Sequence, residues 1–394
     1  MTNIIPDSPA EVRGLLEKKY GKPENEPMTP HDRVATTIER RLPDRVPFDF
    51  WAVPEAVVKL KAYLGARDEE EMLELLGIDC RLVSPTYVGP EPEKLPDGSY
   101  YSEWGSHRRL VKNGFSTYDE YASFPLANAQ SAAEVESWSK WPETSYWDWK
   151  SVLPQIERLN SNIPYHIRYE VGGIFESSWA LYGLDRFLVD LLQKPEVPTA
   201  ILNCYTDLMI DNVRNLMDVA GDKIDMLYTY DDIAIQNGLL MSPRLWRKYI
   251  LPCHQRLNKV IKSYGVKIMY HSCGSVIQMI DALIDDVGID VLNPLQPRAA
   301  GMDMQLIKDK FGKRVAFHGA LDLQHTLPHG TQQDVYDEVR SRCNILGKDG
   351  GYICTSAHYL QADIPLENIL TIYLTPRNVD SAPSRNCIQK KPTL

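Results

Sequence analysis

Eight short runs rich in β-branched and aromatic residues recur along the chain, and longer stretches of helical periodicity separate most of them. The runs are RVPFDFW (Arg45–Trp51), CRLVSP (Cys80–Pro85), PYHIRYEV (Pro164–Val171), DMLYTYDD (Asp225–Asp232), VKIMYHSC (Val266–Cys273), VLNPLQP (Val291–Pro297), VAFHGALD (Val315–Asp322) and GGYICT (Gly350–Thr355). Parallel strands cannot be joined by a tight turn, because each return needs a crossover of a dozen or more residues, usually a helix. Eight such units predict an α/β chain folded as a (β/α)8 TIM barrel. A doubly wound open sheet is the second choice, but no strand is followed by a glycine-rich phosphate turn.

Helices are expected over Val197–Val219, Ser242–Tyr264, Met302–Phe311 and Thr331–Leu346. The first firm one begins at Thr29-Pro30-His31-Asp32, where a Thr N-cap precedes Pro at the first helical position. Residues 1–28 are polar and rich in proline and read as an N-terminal arm, with a short helix around Ala10–Tyr20. Residues 29–375 form the barrel, and residues 376–394 read as a loose tail. About residues 98–118, β-type residues flank an Asn113-Gly114 turn signal, which predicts a hairpin inserted after the second strand.

At 394 residues, 43% hydrophobic and 24% charged, the chain has material for a large buried core. Its formal net charge of −10 repels a phosphate backbone, which argues against nucleic-acid binding. No apolar run approaches the ~20 residues of a membrane span, and the N-terminus lacks the pattern of a secretory signal. Seven scattered cysteines, an odd number, suit a reducing compartment, so the expected location is cytoplasmic.

Barrel enzymes take their catalytic groups from the C-terminal ends of strands. Those ends carry Tyr169, Glu170, Phe175, Glu176, Tyr230, Asp231, Asp232, His271, Cys273, Asn293, Gln296, His318, Asp322, Cys354 and His358. His271 and Cys273 are two zinc-type ligands one residue apart, where period-two alternation points both to one side. Cys354, at the end of the last strand, could complete a three-ligand set that leaves a fourth position open, as in catalytic zinc sites. The blander reading is one packed cysteine and one hydrogen-bonded histidine. Glu176 is a further candidate ligand, or a helix-start acid complementing the macrodipole. Of the adjacent Asp231 and Asp232 only one can face the mouth, and the other caps the next element. Cys80, Cys204, Cys253 and Cys343 read as core residues, and His254, His325 and His329 as surface or cap residues. Trp51, Tyr169, Phe175, Trp179, Tyr230 and Gln296 are candidates for lining a substrate pocket at the rim.

The segments MTPHDRVATTIERRLPDRVPFDFW, DDIAIQNGLLMSPRLWRKYILP, HGALDLQHTLPHGT and GGYICTSAHYLQADIPLENI resemble the uroporphyrinogen decarboxylase superfamily over about residues 29–375. That resemblance implies a (β/α)8 barrel and two branches, true decarboxylases and zinc-dependent methyltransferases that work with corrinoid proteins. True decarboxylases carry an arginine-bearing stretch after the first helix, where this chain reads RVPFDFWAVPEA, without that clamp for carboxylates. The methyltransferase branch carries H-x-C and a distant cysteine as zinc ligands, and the resemblance assigns those roles to His271, Cys273 and Cys354.

It therefore implies Zn2+ in the chain and a corrinoid (cobalamin) on a partner protein. The chain's length and its hairpin, beyond those of the shorter thiol-methylating members, favour transfer of a methyl group from a methoxylated small molecule, with an aromatic one as an option, to cob(I)alamin. In that scheme Asp231 or Asp232 and Gln296 orient the substrate, and His318 or His358 supplies a proton. The alternatives are a methylcobamide:thiol methyltransferase, a metal-independent decarboxylase, and a non-enzymatic binding protein with structural zinc.

Overall fold

A computed structural model describes residues 4–21, 23–113 and 116–379. The tail from residue 380 and the predicted turn residue Gly114 lie outside the described residues. The fold is α/β and TIM-barrel-like. Seven parallel strands form one curled sheet in sequence order: β1 (Cys80–Val83), β2 (His166–Gly173), β3 (Met226–Tyr230), β4 (Lys267–His271), β5 (Val291–Leu295), β6 (Ala316–Leu321) and β7 (Tyr352–Ser356).

The predicted strand Arg45–Trp51 is not a regular strand. Pro47 has no N–H to give to a ladder, and the Phe48 amide is taken by the Asp79 carboxylate at 2.9 Å. The segment nevertheless bonds to both edges of the sheet. Asp49 N donates to Cys354 O (3.0 Å), Cys354 N to Pro47 O (2.9 Å), and Asp79 N to Phe48 O (3.0 Å). It thus stands between β7 and β1, in the place of an eighth strand.

Side-chain alternation splits the core into two layers. Inside the sheet lie Trp51, Cys80, Met226, Tyr228, Met269, Val291, Ala316 and Ile353, with Val34 and Ile38 from the helix Pro30–Ile38. The outward neighbours, among them Leu227, Ile268, Tyr270, Leu292, Phe317, Tyr352 and Cys354, join the larger cluster under the helices. Thr29 caps the helix Pro30–Ile38 by accepting from Asp32 N, and Thr331 and Asp334 form a reciprocal capping box at Gln332–Leu346. The helix expected over Ser242–Tyr264 is two helices, Pro243–Tyr249 and Leu251–Ser263. Pro252 lacks the amide that would continue the first into the second.

Residues Pro9–Tyr20 form a helix that packs on the body rather than extending as an arm. Val12 and Leu16 are fully buried, and Tyr20 Oη donates to Tyr373 O at 2.7 Å. Between β1 and β2, strands Tyr100–Tyr101, His107–Asn113 and Ser116–Ser123 make a three-stranded antiparallel sheet.

Candidate metal and substrate site

On β4, Met269 and His271 point into the barrel, while Ile268 and Tyr270 point out to the helices. Two residues further on, Cys273 lies at the rim, its Sγ 3.4 Å from His271 Nε2. Gly274 then takes φ +86°, where a Cβ would meet the backbone of Ala234 and Ile235, so glycine is required to turn the chain away. Its amide donates to Gln296 Oε1 at 2.7 Å. Gln296 therefore supports the loop that carries Cys273.

His358 is the third member of the cluster, and one ligand atom from each of His271, Cys273 and His358 lies within 4.8 Å of the others. Tetrahedral bonds of about 2.0–2.3 Å place ligand atoms roughly 3.3–3.8 Å apart, so this nitrogen–sulfur–nitrogen set fits a zinc ion with little adjustment. Burial lowers the His271 pKa to about 4 and also depresses that of His358, leaving both rings neutral, as ligands must be. Burial first, then the charges of Asp232 and Glu176, pushes the Cys273 thiol well up, so it keeps its proton unless a cation displaces it.

Cys354 does not belong to this set. On β7, Ile353 faces the barrel interior, so Cys354 faces outward, fully buried beside Cys343 and Tyr352. Period two decides this: adjacent strand residues cannot share a face. His358 stands four residues later, after the strand has ended, where the chain can turn back over the mouth.

The paired aspartates divide as alternation requires. Asp231 is fully buried. Its Oδ1 accepts from Phe175 N (2.6 Å) and Glu176 N (3.0 Å) at the start of the helix Ile174–Tyr182, and its Oδ2 meets His254 Nε2 at 2.6 Å. His254 is thus no surface residue but the buried partner of Asp231. Asp232 is half-buried at the mouth, accepts from Cys273 N at 2.7 Å, and lies 3.5 Å from His271 Nε2. Glu176 Oε1 accepts from Asp232 N at 3.0 Å, so Asp231 and Asp232 together hold Glu176 beside the cluster.

Burial, then Asp232 and Asp231, raises the Glu176 pKa to about 8, against 4.5 for an ordinary glutamate. In metal-free protein its stabilising contribution is therefore complete below the unfolded value and lost as pH rises through about 8. Glu176→Gln should flatten that decline, measured as urea midpoints between about pH 5 and 9. An unchanged slope would place the titration elsewhere.

A cavity of about 440 Å³ is lined by Trp51, Tyr228, Tyr359, Arg168 and Glu170, among others. Trp51 stacks on His271 with centroids 6.4 Å apart, and Tyr228 meets the same ring edge-on at 6.1 Å, so the cavity adjoins the cluster. Tyr230, 5.7 Å from Tyr228, sits at the mouth and lines a second cavity of about 300 Å³ under the antiparallel sheet.

Three expected pocket residues face elsewhere. Tyr169 packs outward on Trp149, and Phe175 is buried against Phe187. Trp179 packs on Tyr121 of the antiparallel sheet. His318 is likewise no donor at the mouth, being fully buried between Asn293 and Asp49. Asp49 and Arg168, an ion pair at the cavity floor, were not foreseen because their meeting depends on the closure of the sheet.

The sequence profile of the uroporphyrinogen decarboxylase (URO-D) family matches residues 127–375. A methylated-thiol–coenzyme M methyltransferase of Methanosarcina mazei is 27% identical over 175 residues, 44% of this chain; the match spans 43% of that relative's length. The structure of a methyltransferase from Methanosarcina mazei has the same fold, with TM-score 0.61 and 17% identity over 88% of this chain and 97% of that one. Among the described residues, no helix is long and apolar enough to cross a membrane.

Proposed function

The chain belongs to the uroporphyrinogen decarboxylase family, and from that premise we propose that it is a zinc-dependent methyltransferase passing a methyl group from a methoxylated small molecule to the corrinoid of a partner protein. The observation that carries this reading is the convergence of His271, Cys273 and His358 beside a cavity lined by Trp51, Tyr228 and Tyr359 together with charged groups such as Arg168 and Glu170. These three residues would hold the metal, with the fourth position left to substrate or to Glu176. A zinc ion bound there supplies Lewis-acid chemistry, making the heteroatom that bears the methyl group a better leaving group.

The chain's own residues do the rest. Trp51, Tyr228 and Tyr359 offer flat apolar walls suited to an aromatic ring and exclude water from the reacting bond. Glu170 faces the same cavity, and burial raises its carboxyl above the ordinary range, so it can hold a proton and pass it to the departing oxygen. Asp232 fixes the backbone of Cys273, and Asp231 fixes the helix that presents Glu176. The open rim gives a corrinoid protein room to dock, with the antiparallel sheet as one border.

The test uses zinc-loaded protein, cob(I)alamin and a panel of methoxylated aromatic donors, following methyl transfer spectroscopically. Chelation should abolish turnover and leave the far-UV circular dichroism unchanged, because a three-ligand catalytic site does not carry the fold. Turnover that survives chelation would sink the proposal, and metal-independent carbon dioxide release would favour a decarboxylase. The similarity to a methylated-thiol methyltransferase favours one second reading, with a methylated thiol as donor or a thiol as acceptor. Methylated thiols belong in the same panel.

A further inference from the structure

We infer that Asp49, His318 and Asn293 form a buried positioning chain that fixes the proton of His271 on Nδ1 and so presents its Nε2 lone pair to the metal site. The inference rests on the zinc reading above for its purpose, but its geometry stands independently. All four residues are 5% exposed or less.

The polarity of the chain can be worked out from its far end. Asp49 is paired with the buried Arg168 and also accepts from Trp51 Nε1 (2.9 Å) and Phe50 N (2.8 Å). Burial alone would raise its carboxyl, but the Arg168 charge and the His318 hydrogen bond outweigh that and keep it ionised. An ionised carboxylate only accepts hydrogen bonds. His318 Nε2, 2.9 Å from Asp49 Oδ2, must therefore carry the His318 proton.

Burial keeps His318 neutral, so its Nδ1 is an acceptor and takes a proton from Asn293 Nδ2 at 2.5 Å. That orients the Asn293 amide, leaving Oδ1 towards His271 Nδ1 at 2.6 Å. The oxygen can only accept, so His271 donates from Nδ1 and its Nε2 is bare. Nε2 is the atom 3.4 Å from Cys273 Sγ. Each link forces the next, and a ligand histidine held in this way is oriented and made more basic by its outer partner. The links come from the closing segment, β6, β5 and β4, so the chain crosses the barrel interior beneath the mouth.

The test pairs a tautomer measurement with metal affinity. In zinc-free wild type, ¹⁵N-resolved imidazole spectra should show His271 protonated on Nδ1; a proton on Nε2 would overturn the inference whether or not the protein binds zinc. His318→Phe breaks the chain, and should mix the His271 tautomers and weaken zinc binding about 10–100-fold in chelator competition. His318→Gln restores the polarity, with its carbonyl in place of Nδ1 and its amide in place of Nε2–H, and should recover most of that loss. Phe and Gln variants that both match wild type would also overturn it. If His318→Phe fails to fold, the wild-type tautomer still decides. A wild type that binds no zinc but shows the Nδ1 tautomer would count against the zinc reading alone.

Discussion

His358→Ala should strip zinc from the protein as thoroughly as Cys273→Ala, while Cys354→Ala should retain about one equivalent. Removing a direct ligand should exceed the roughly 10–100-fold loss typical of an outer partner, so either mouth variant would purify with little metal. Cys354 lies behind the sheet in the apolar layer, and its loss leaves only a small cavity beside Cys343. Elemental analysis of the three variants beside wild type, purified under reducing conditions without chelator, reads this directly. Zinc loss in Cys354→Ala together with full retention in His358→Ala would restore the ligand set that family resemblance alone implies.

Asp79→Ala should be among the most destabilising single substitutions in the chain. Asp79 is fully buried at the start of β1, bonded to Arg33 Nη1 (2.6 Å), Arg45 Nη1 (2.8 Å) and Phe48 N (2.9 Å). Removing it leaves the buried Arg33 with its Nη1 unpartnered, though Asp44 and Glu26 still hold the rest of the guanidinium, and frees the segment that fills the eighth position of the sheet. Breaking a buried ion pair on one side costs about 3–5 kcal/mol, and the lost amide bond adds to that. Urea denaturation should show the midpoint falling with little change in slope. By contrast, Arg314→Ala, which cuts an exposed pair with Asp281 and Asp285, should leave the midpoint nearly unmoved. Equal midpoints for Asp79→Ala and wild type would mean that the closing segment holds without its clamp.

Much of the architecture could be read from local pattern. Seven strand cores from Cys80 to Ile353 and the caps at Thr29 and Thr331 all rest on signals within a few residues of one another. The errors share a cause. Arg45–Trp51 has strand composition, but Pro47 and the Asp79 clamp deny it a ladder. His254 looks like a surface histidine until the helix Leu251–Ser263 packs it against Asp231.

His271 and Cys273 were legible as a metal pair because two residues on one strand share a face whatever the rest of the chain does. Local alternation also contained the warning against Cys354, since Ile353 and Cys354 cannot both face inward. Which third residue meets the pair was a different kind of question. It depended on how far the chain runs past β7 before turning back, and that brought His358, read as an acid–base group, to the cluster. The linkage from Asp49 through His318 and Asn293 spans up to 269 residues of sequence. Sequence fixes direction and periodicity within an element, because those follow from backbone geometry. Distance between elements is set only when the sheet curls and buries its polar groups against one another, and only there do these side chains become a site.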